Sequence, residues 1–261
     1  MSKKEKIVTF DLDGTLADTA PALLNAGNEL LKSIGRNPIK LEQYKGFIGG
    51  GTKKQVEKLL VSTGGIPDSG LDVYFEFFQD RYYEDPVKGC SLYKGVLELI
   101  EFLKSQGLKL TICTQKFESS AKKVLFDLNI YQYFDGFAYG DSTGVLKPDP
   151  KVFYHSVKGL GNGSYFYVGD TAIDLLLAKA VGASFFFHKR GYSPQTVEQA
   201  GVPIVSTPRH RRTQHTPTGN SSGLQRLVAV TTAWAVLAQV STTCTRATMV
   251  ICPSAPDTGH K

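Results

Sequence analysis

Two aspartates one residue apart, Asp11 and Asp13, stand in the run FDLDGT, directly after the apolar stretch Ile7, Val8, Thr9 and Phe10. Two carboxylates on one short turn can divide labour: one attacks, while the other gives and takes a proton. Polar groups follow apolar runs at three further places. Thr114 lies in LTICTQK, Lys147 in GVLKPDP, and Asp170 and Asp174 in YVGDTAID. Each piece alone has a plain structural reading. A D-x-D-G-T run is usually a turn closed by an Asx hydrogen bond. Thr114 alone is a strand-end hydroxyl, and Lys147 a solvated lysine before the rigid Pro148. Asp170 and Asp174 alone could cap the helix that follows. Brought together, these carboxylates would repel one another unless a cation joined them. Oxygen-only ligands with retained waters suit Mg²⁺. Such a cation, with Lys147, would neutralise a phosphoryl group, whose transfer is catalysed mainly by positioning and electrostatics.

The elements that must position these groups are legible from periodicity. Residues 7–10 form a short apolar, β-branched run, which reads as a buried strand. Thr19 followed by Ala20 and Pro21 starts a helix, continued by the apolar face of Leu23, Leu24, Leu30, Leu31 and Ile34 and ended by Gly35. Thr52 and Gln55 have capping-box spacing ahead of Leu59, Leu60 and Val61. Val73, Phe77, Phe78 and Tyr82 predict a helix over 72–83. Residues 17–88 show no convincing strand. Alternation then begins: helix 96–106, strand 108–113, helix 119–128, strand 136–139, helix 150–158, strand 165–168, helix 174–181, strand 183–187 and a last strand at 203–205. Strands alternating with helices imply a Rossmann-like α/β fold with a parallel sheet covered on both faces. Such sheets bind ligands at the carboxyl ends of their strands, where Asp11, Thr114, Lys147 and Asp170 fall.

Composition sets the outer bounds. The chain has 261 residues, 41% of them apolar and 21% charged, which excludes a wholly disordered or fibrous chain. Cys90, Cys113, Cys244 and Cys252 have no C-x-x-C spacing, so neither a disulfide framework nor a zinc site is expected. The apolar run before Asp11 is too short for a signal peptide, and the expected compartment is the cytosol. The formal charge is +6. Six basic residues and one acid lie from Arg209 onward, so residues 1–208 carry only +1. A nucleic-acid function would want a basic stripe on the folded domain, and the total supports none. The tail, 209–261, is rich in Thr, Ser and Ala and holds the single Trp, Trp234. Its apolar stretch at 227–240 is shorter than the roughly 18 residues of a membrane span. A basic interaction arm is one reading of it. The expectation is a segment not shaped with the domain, such as a shifted reading frame or appended residues.

The four strand-end pieces, in this order, resemble the motifs of the haloacid dehalogenase-like hydrolases, from about Lys6 to Val205. FDLDGT is similar to the first motif, Thr114 to the second, Lys147 to the third and GDTAID to the fourth. FDLDGTLADTAPAL, FIGGG and GDSTGVLKPDP look most like the phosphoglycolate phosphatase branch. The resemblance implies a phosphatase core at 1–16 and 89–208 and a small α-helical cap at 17–88. It implies that Asp11 is the nucleophile and Asp13 the general acid and base. Mg²⁺ would be held by Asp11, the Asp13 backbone carbonyl and Asp170, with Asp174 ordering the outer shell or Lys147. Thr114 and the amides near Leu12 and Asp13 would bind phosphoryl oxygens. The implied partner is a small phosphorylated metabolite such as phosphoglycolate. A sugar-phosphate mutase and a non-catalytic binding module on the same fold are the alternatives. Dehalogenases proper lack an acid at the Asp13 position, so Asp13 argues against dehalogenation.

The sequence departs from this pattern in places. Gln115 stands where close relatives usually have Asn, and the apolar helix expected after the final strand is replaced by the tail. Gly49, Gly50 and Gly51 read either as a backbone loop that meets substrate or as a hinge. Lys45 and Lys53 read either as contacts for a substrate carboxylate or, more simply, as solvated lysines. Cys113 reads as core, His155 and His188 have no triad partners, and Tyr74, Phe75, Phe77 and Phe78 read as cap core. Oligomeric state is left open.

Overall fold

The computed structural model describes residues 5–192 and 204–205. Six parallel strands make the central sheet in the order β5-β4-β1-β6-β7-β8. They are β1 (Glu5–Phe10), β4 (Lys109–Cys113), β5 (Gly136–Ala138), β6 (Gly163–Gly169), β7 (Ser184–His188) and β8 (Ile204–Val205). β1 is central, paired with β4 on one side and β6 on the other. Its side chains alternate between two apolar layers, as a strand buried on both faces must. Val8 and Phe10 join the layer that holds Leu103 and Val124. Ile7 joins the layer of Phe153, Leu177 and Phe187. Thr9 has no exposure and shares a 2.8 Å hydrogen bond with Thr111 on β4, which satisfies both hydroxyls inside the sheet. Helices α5 (Val96–Ser105), α6 (Glu118–Asp127), α7 (Pro150–Ser156) and α8 (Ala172–Ala180) cover it. A 3₁₀ turn at Tyr131–Tyr133 precedes β5.

Four helices leave the sheet between β1 and β4: α1 (Ala20–Ser33), α2 (Leu41–Lys45), α3 (Thr52–Ser62) and α4 (Leu71–Glu84). They have an apolar cluster of their own, centred on Leu30, Tyr44, Leu59 and Phe78. Tyr74, Phe75 and Phe77 pack against that cluster half-buried, while Phe78 is fully enclosed. Cys113 is buried in the sheet layer of α7 and α8.

The alternation read from sequence matches the elements to within two or three residues at their ends. Two expectations fail. Residues 17–88 do contain a strand, β2 (Ala17–Asp18), which pairs antiparallel with β3 (Ser91–Leu92). A two-residue strand has no periodicity to read. This ribbon joins the exit from β1 to the return from α4. The capping box at Thr52 and Gln55 is also absent. Thr52 is already the first helical residue, behind Gly51, and no side chain caps the helix. Gln55 is buried instead. The capping box of this molecule is Thr171 with Asp174, on α8. The helix expected after the last strand and the whole of the tail, including the 227–240 stretch, lie outside the described residues. Among the described residues, no helix is long and apolar enough to cross a membrane.

Candidate active site

Each strand end delivers one part of the site. Asp11 is the first residue after β1, and its amide donates to Val168 O on β6 at 3.0 Å, continuing the sheet pairing. Thr114 follows β4, with its amide on Ala138 O at 2.9 Å. Its hydroxyl accepts from Lys116 N at 3.1 Å. Asp170 and Asp174 follow β6, and Lys147 arrives on the loop after β5. All five are buried: Asp11, Thr114, Lys147, Asp170 and Asp174 are each less than a tenth exposed.

Lys147 Nζ stands 3.1 Å from Asp11 Oδ1 and 2.7 Å from Asp174 Oδ1. Asp174 Oδ1 also accepts from the Tyr167 hydroxyl at 3.1 Å, while its Oδ2 accepts from Thr171 N. One carboxylate thus caps α8 and orients the lysine. Asp170 accepts from Thr15 Oγ1 at 3.2 Å and from Tyr192 N at 2.6 Å. Gly14 (φ +80°) lets the chain turn against Asp170, and a Cβ there would lie 2.3 Å from Asp170 Oδ2. Asp11, Asp170 and Asp174 offer carboxylate oxygens within 4.8 Å of one another.

Charge in this cluster is underneutralised. Burial pushes Asp11 up to about 7; Lys147 opposes the rise, and Asp174 and Asp13 add to it. Burial, with Asp174 and Asp11 alongside, holds Asp170 well above the carboxylate range. Burial also opposes the charge on Lys147, but Asp11 and Asp174 outweigh it and hold the ammonium above the usual lysine range. One ammonium among three crowded buried carboxylates fits a site completed by a cation.

Asp13 turns the other way. Its carboxylate faces Lys116 Nζ at 2.9 Å and accepts from the Thr19 hydroxyl. The Asp13 side chain therefore lies outside the three-carboxylate cluster, and only its backbone carbonyl remains available for the cation expected from sequence. Lys116, unremarked in the sequence reading, is buried between Asp13 and the Tyr82 hydroxyl, 2.8 Å away on α4. Burial opposes its charge, but Asp13 and Tyr82 prevail and raise it above the lysine range. Burial moves Tyr82 up to about 12 against the pull of Lys116.

A cleft runs between these groups and helices α1, α3 and α4. Asp11, Asp13, Thr114, Gln115, Lys116 and Lys147 line its sheet side; Gly49, Gly50, Gly51, Gln55 and Tyr82 line the helical side. The three glycines have φ values of +110°, +81° and +91°, so their run presents bare backbone that other residues would not adopt without strain. Gln115 donates from Nε2 to Lys147 O at 3.2 Å. Leu12 is fully buried, and its amide donates to Asp11 Oδ1 at 2.8 Å. Lys45 and Lys53 stay out of the cleft and pair with Asp18 and Asp72. His155 is exposed. His188 is buried with Nδ1 on Gly14 O at 2.8 Å, supporting the turn.

Tyr192 is a second residue the sequence did not disclose. Its hydroxyl accepts from Thr19 N (2.7 Å) and Ala20 N (3.0 Å) and donates to Asp18 Oδ1 (2.9 Å). It closes the first turn of α1 in place of Thr19, whose own hydroxyl is committed to Asp13. No local pattern signals a cap supplied from more than 170 residues away.

A family model described as haloacid dehalogenase-like hydrolase matches residues 8–187, the stretch that carries these strand ends. The chain belongs to the haloacid dehalogenase-like hydrolases. It falls in their phosphoglycolate phosphatase-like branch and is a phosphatase of that family. A phosphoglycolate phosphatase of Cereibacter sphaeroides is 31% identical over 80% of this chain and 93% of its own. One from Rhodobacter capsulatus is 33% identical over 70% and 84%. Among solved structures, a predicted phosphoglycolate phosphatase from Haemophilus somnus superimposes with a TM-score of 0.71 at 24% identity, over 78% of this chain and 95% of that one. A haloacid dehalogenase-like family protein from Streptococcus pneumoniae gives 0.68 at 21%, over 78% and 94%. These two likenesses concern the fold.

Proposed function

We propose that the protein is a Mg²⁺-dependent phosphomonoesterase that hydrolyses a small phosphorylated acid, phosphoglycolate first, through a phosphoryl-aspartate. The single observation that carries this reading is the division of the FDLDGT turn. Asp11 faces Lys147 and the acidic cluster, while Asp13 faces the opposite side of the cleft with Lys116. The substrate named comes from the phosphoglycolate phosphatases that resemble this chain.

Both Asp11 contacts fall on Oδ1, so Oδ2 is the oxygen engaged by neither. A carboxylate oxygen of Asp11 attacks phosphorus, and the bond from phosphorus to the alkoxy oxygen breaks. Asp13 gives its proton to the departing oxygen. Asp13 then takes a proton from the water that attacks the phosphoryl-aspartate, which releases inorganic phosphate and restores Asp11. The Thr114 hydroxyl holds a phosphoryl oxygen, and the Lys147 ammonium holds another while keeping Asp11 and Asp174 in place. Asp11, Asp170 and the Asp13 carbonyl would hold Mg²⁺, with Asp174 behind them. When bound, the cation neutralises phosphoryl charge that the crowded carboxylates would repel. In this reading the phosphatase core is 1–16 and 89–208, the cap is 17–88, and the protein works in the cytosol.

Phosphate release with Mg²⁺ across phosphoglycolate, sugar phosphates, nucleotides and pyrophosphate tests the reading. Phosphoglycolate should lead. A positional isomer in place of free phosphate would make the protein a mutase.

A further inference from the structure

The cleft holds two buried ammonium groups with different surroundings. Lys147 is consumed by two carboxylates of the metal side, at 3.1 and 2.7 Å. Lys116 lies on the Asp13 side, where the leaving group of the substrate must sit. It has one carboxylate partner, Asp13 Oδ1 at 2.9 Å, and one neutral partner, the Tyr82 hydroxyl at 2.8 Å. The Tyr82 hydroxyl is itself oriented toward Pro86 O at 3.4 Å and so offers Lys116 a lone pair. An ammonium has three N–H donors. Two are engaged, and the third has no hydrogen-bond partner among the described residues.

A second buried group faces the same space from the cap side. Gln55 on α3 is 7% exposed, lines the cleft, and its Oε1 has no hydrogen-bond partner. A buried, unpaired amide oxygen is costly unless a ligand or water completes it. The amide can turn over, so Gln55 can meet either a donor or an acceptor on a ligand. Ile48, the glycine run and Tyr82 close the far side. A Cβ added at Gly51 would lie 3.3 Å from Leu146 Cδ1, so a side chain there would be crowded.

We infer that Lys116, assisted by Gln55, is the specificity subsite that receives a carboxylate on the leaving group of a short phosphoester. The role that the sequence offered to Lys45 or Lys53 passes to a buried lysine two residues after Thr114. The inference rests on the phosphomonoesterase reading above and names the part of the substrate that the phosphoryl machinery does not touch. A carboxylate one carbon from the ester oxygen would use the remaining Lys116 donor in a charge-assisted hydrogen bond. A neutral hydroxyl there can accept from the same donor but brings no opposite charge, so its hydrogen bond is the weaker one.

The test uses full-length protein with Mg²⁺ and two substrates of one length, phosphoglycolate and 2-hydroxyethyl phosphate. Both need Asp13, so any disturbance of Asp13 cancels in their ratio of kcat/KM. Lys116→Met should lower the preference for phosphoglycolate at least tenfold, about 1.4 kcal/mol, mainly through KM, and Lys116→Arg should recover part of it. Gln55→Leu should lower the same preference by a smaller factor. Melting temperatures show that each variant is folded. A turnover-free arm measures calorimetric binding of 3-phosphonopropionate and of propylphosphonate. Lys116→Met should weaken the first tenfold and leave the second unchanged. Wild-type hydrolysis of phosphoglycolate with the preference intact in folded Lys116→Met overturns the subsite and leaves the function standing. Lys116-dependent binding of 3-phosphonopropionate by a protein that does not hydrolyse phosphoglycolate supports the subsite and overturns the substrate reading.

Discussion

The two sides of the cleft are built on different physical terms. On the sheet side, side chains issue from parallel strands whose neighbours fix them in register; Phe10 pairs with Ile112 on one side and Val168 on the other. Asp11, Thr114 and Asp170 thus arrive at one edge as a consequence of strand order. On the helical side, α1 to α4 pack on their own apolar cluster, and what this side shows the cleft is bare glycine backbone, two amides (Gln55 and Gln79), two phenols (Tyr82 and Tyr83), the Thr52 hydroxyl and apolar Leu23 and Ile48. A rigid sheet edge can hold charges in a fixed arrangement for one chemistry, while a separately packed helical layer can vary what it presents without disturbing it. On the function proposed above, the sheet side carries the reaction, and selection falls to Lys116 on that side together with Gln55 from the helical side. The two meet at Lys116 with Tyr82, at the β2–β3 ribbon, and at Tyr192.

The largest effect should come from the sheet side. Asp11→Asn keeps the shape but removes the nucleophile, and kcat should fall by about 10³-fold or more while the melting temperature holds or rises, since a buried charge is removed. Phosphate release and a thermal melt check both halves. Activity within tenfold of wild type would sink the assignment.

Asp13→Asn should cost about 10²-fold or more with alkyl phosphates, and clearly less with aryl phosphates, whose leaving groups need little protonation. Equal losses for both would remove the acid role from Asp13.

Tyr192→Phe probes the junction between the two sides. Deleting the hydroxyl strands the Thr19 and Ala20 amides and one bond to Asp18, so about 1–3 kcal/mol of stability should go, read by denaturant titration. The substrate preference should stay. A Tyr192→Phe protein as stable as wild type would show that water closes α1 equally well.

A smaller effect follows from pH. Asp11 titrates at about 7 in the folded chain, against 3.8 ordinarily. Between these values the folded protein keeps a proton that the unfolded chain has released. Its contribution to metal-free stability is therefore greatest at acid pH and declines as pH rises to about 7. A divalent cation competes with that proton, so the gain in melting temperature on adding Mg²⁺ should grow from pH 5 to pH 7. A gain that is flat or shrinks over that range contradicts the cation assignment.

The smallest effect expected is none. Every group placed in the site precedes residue 193, so removing residues 209–261 should leave kcat and metal dependence unchanged and lower the net charge from +6 to +1. A tenfold fall in kcat/KM with the body folded would move part of the site into the tail.

The sequence by itself determined the alternation of strands and helices and the chemical groups at the strand ends. Both rest on local signals: apolar periodicity, glycine stops, and the fact that a parallel sheet collects its strand ends along one edge. FDLDGT, Thr114, Lys147 and GDTAID could therefore be singled out before any contact was known. Tertiary structure alone decided the rest. Thr52 and Gln55 had capping-box spacing, but Gly51 ended the turn earlier and Gln55 was drawn into the cleft. Lys116 drew no notice in the sequence, because only folding brings Asp13 from the turn after β1 and Tyr82 from α4 to its ammonium. Tyr192 lies more than 170 residues from the helix end it closes. A pairing between distant segments leaves no trace in local spacing; its energy exists only after the chain has paid the entropy of bringing those segments together.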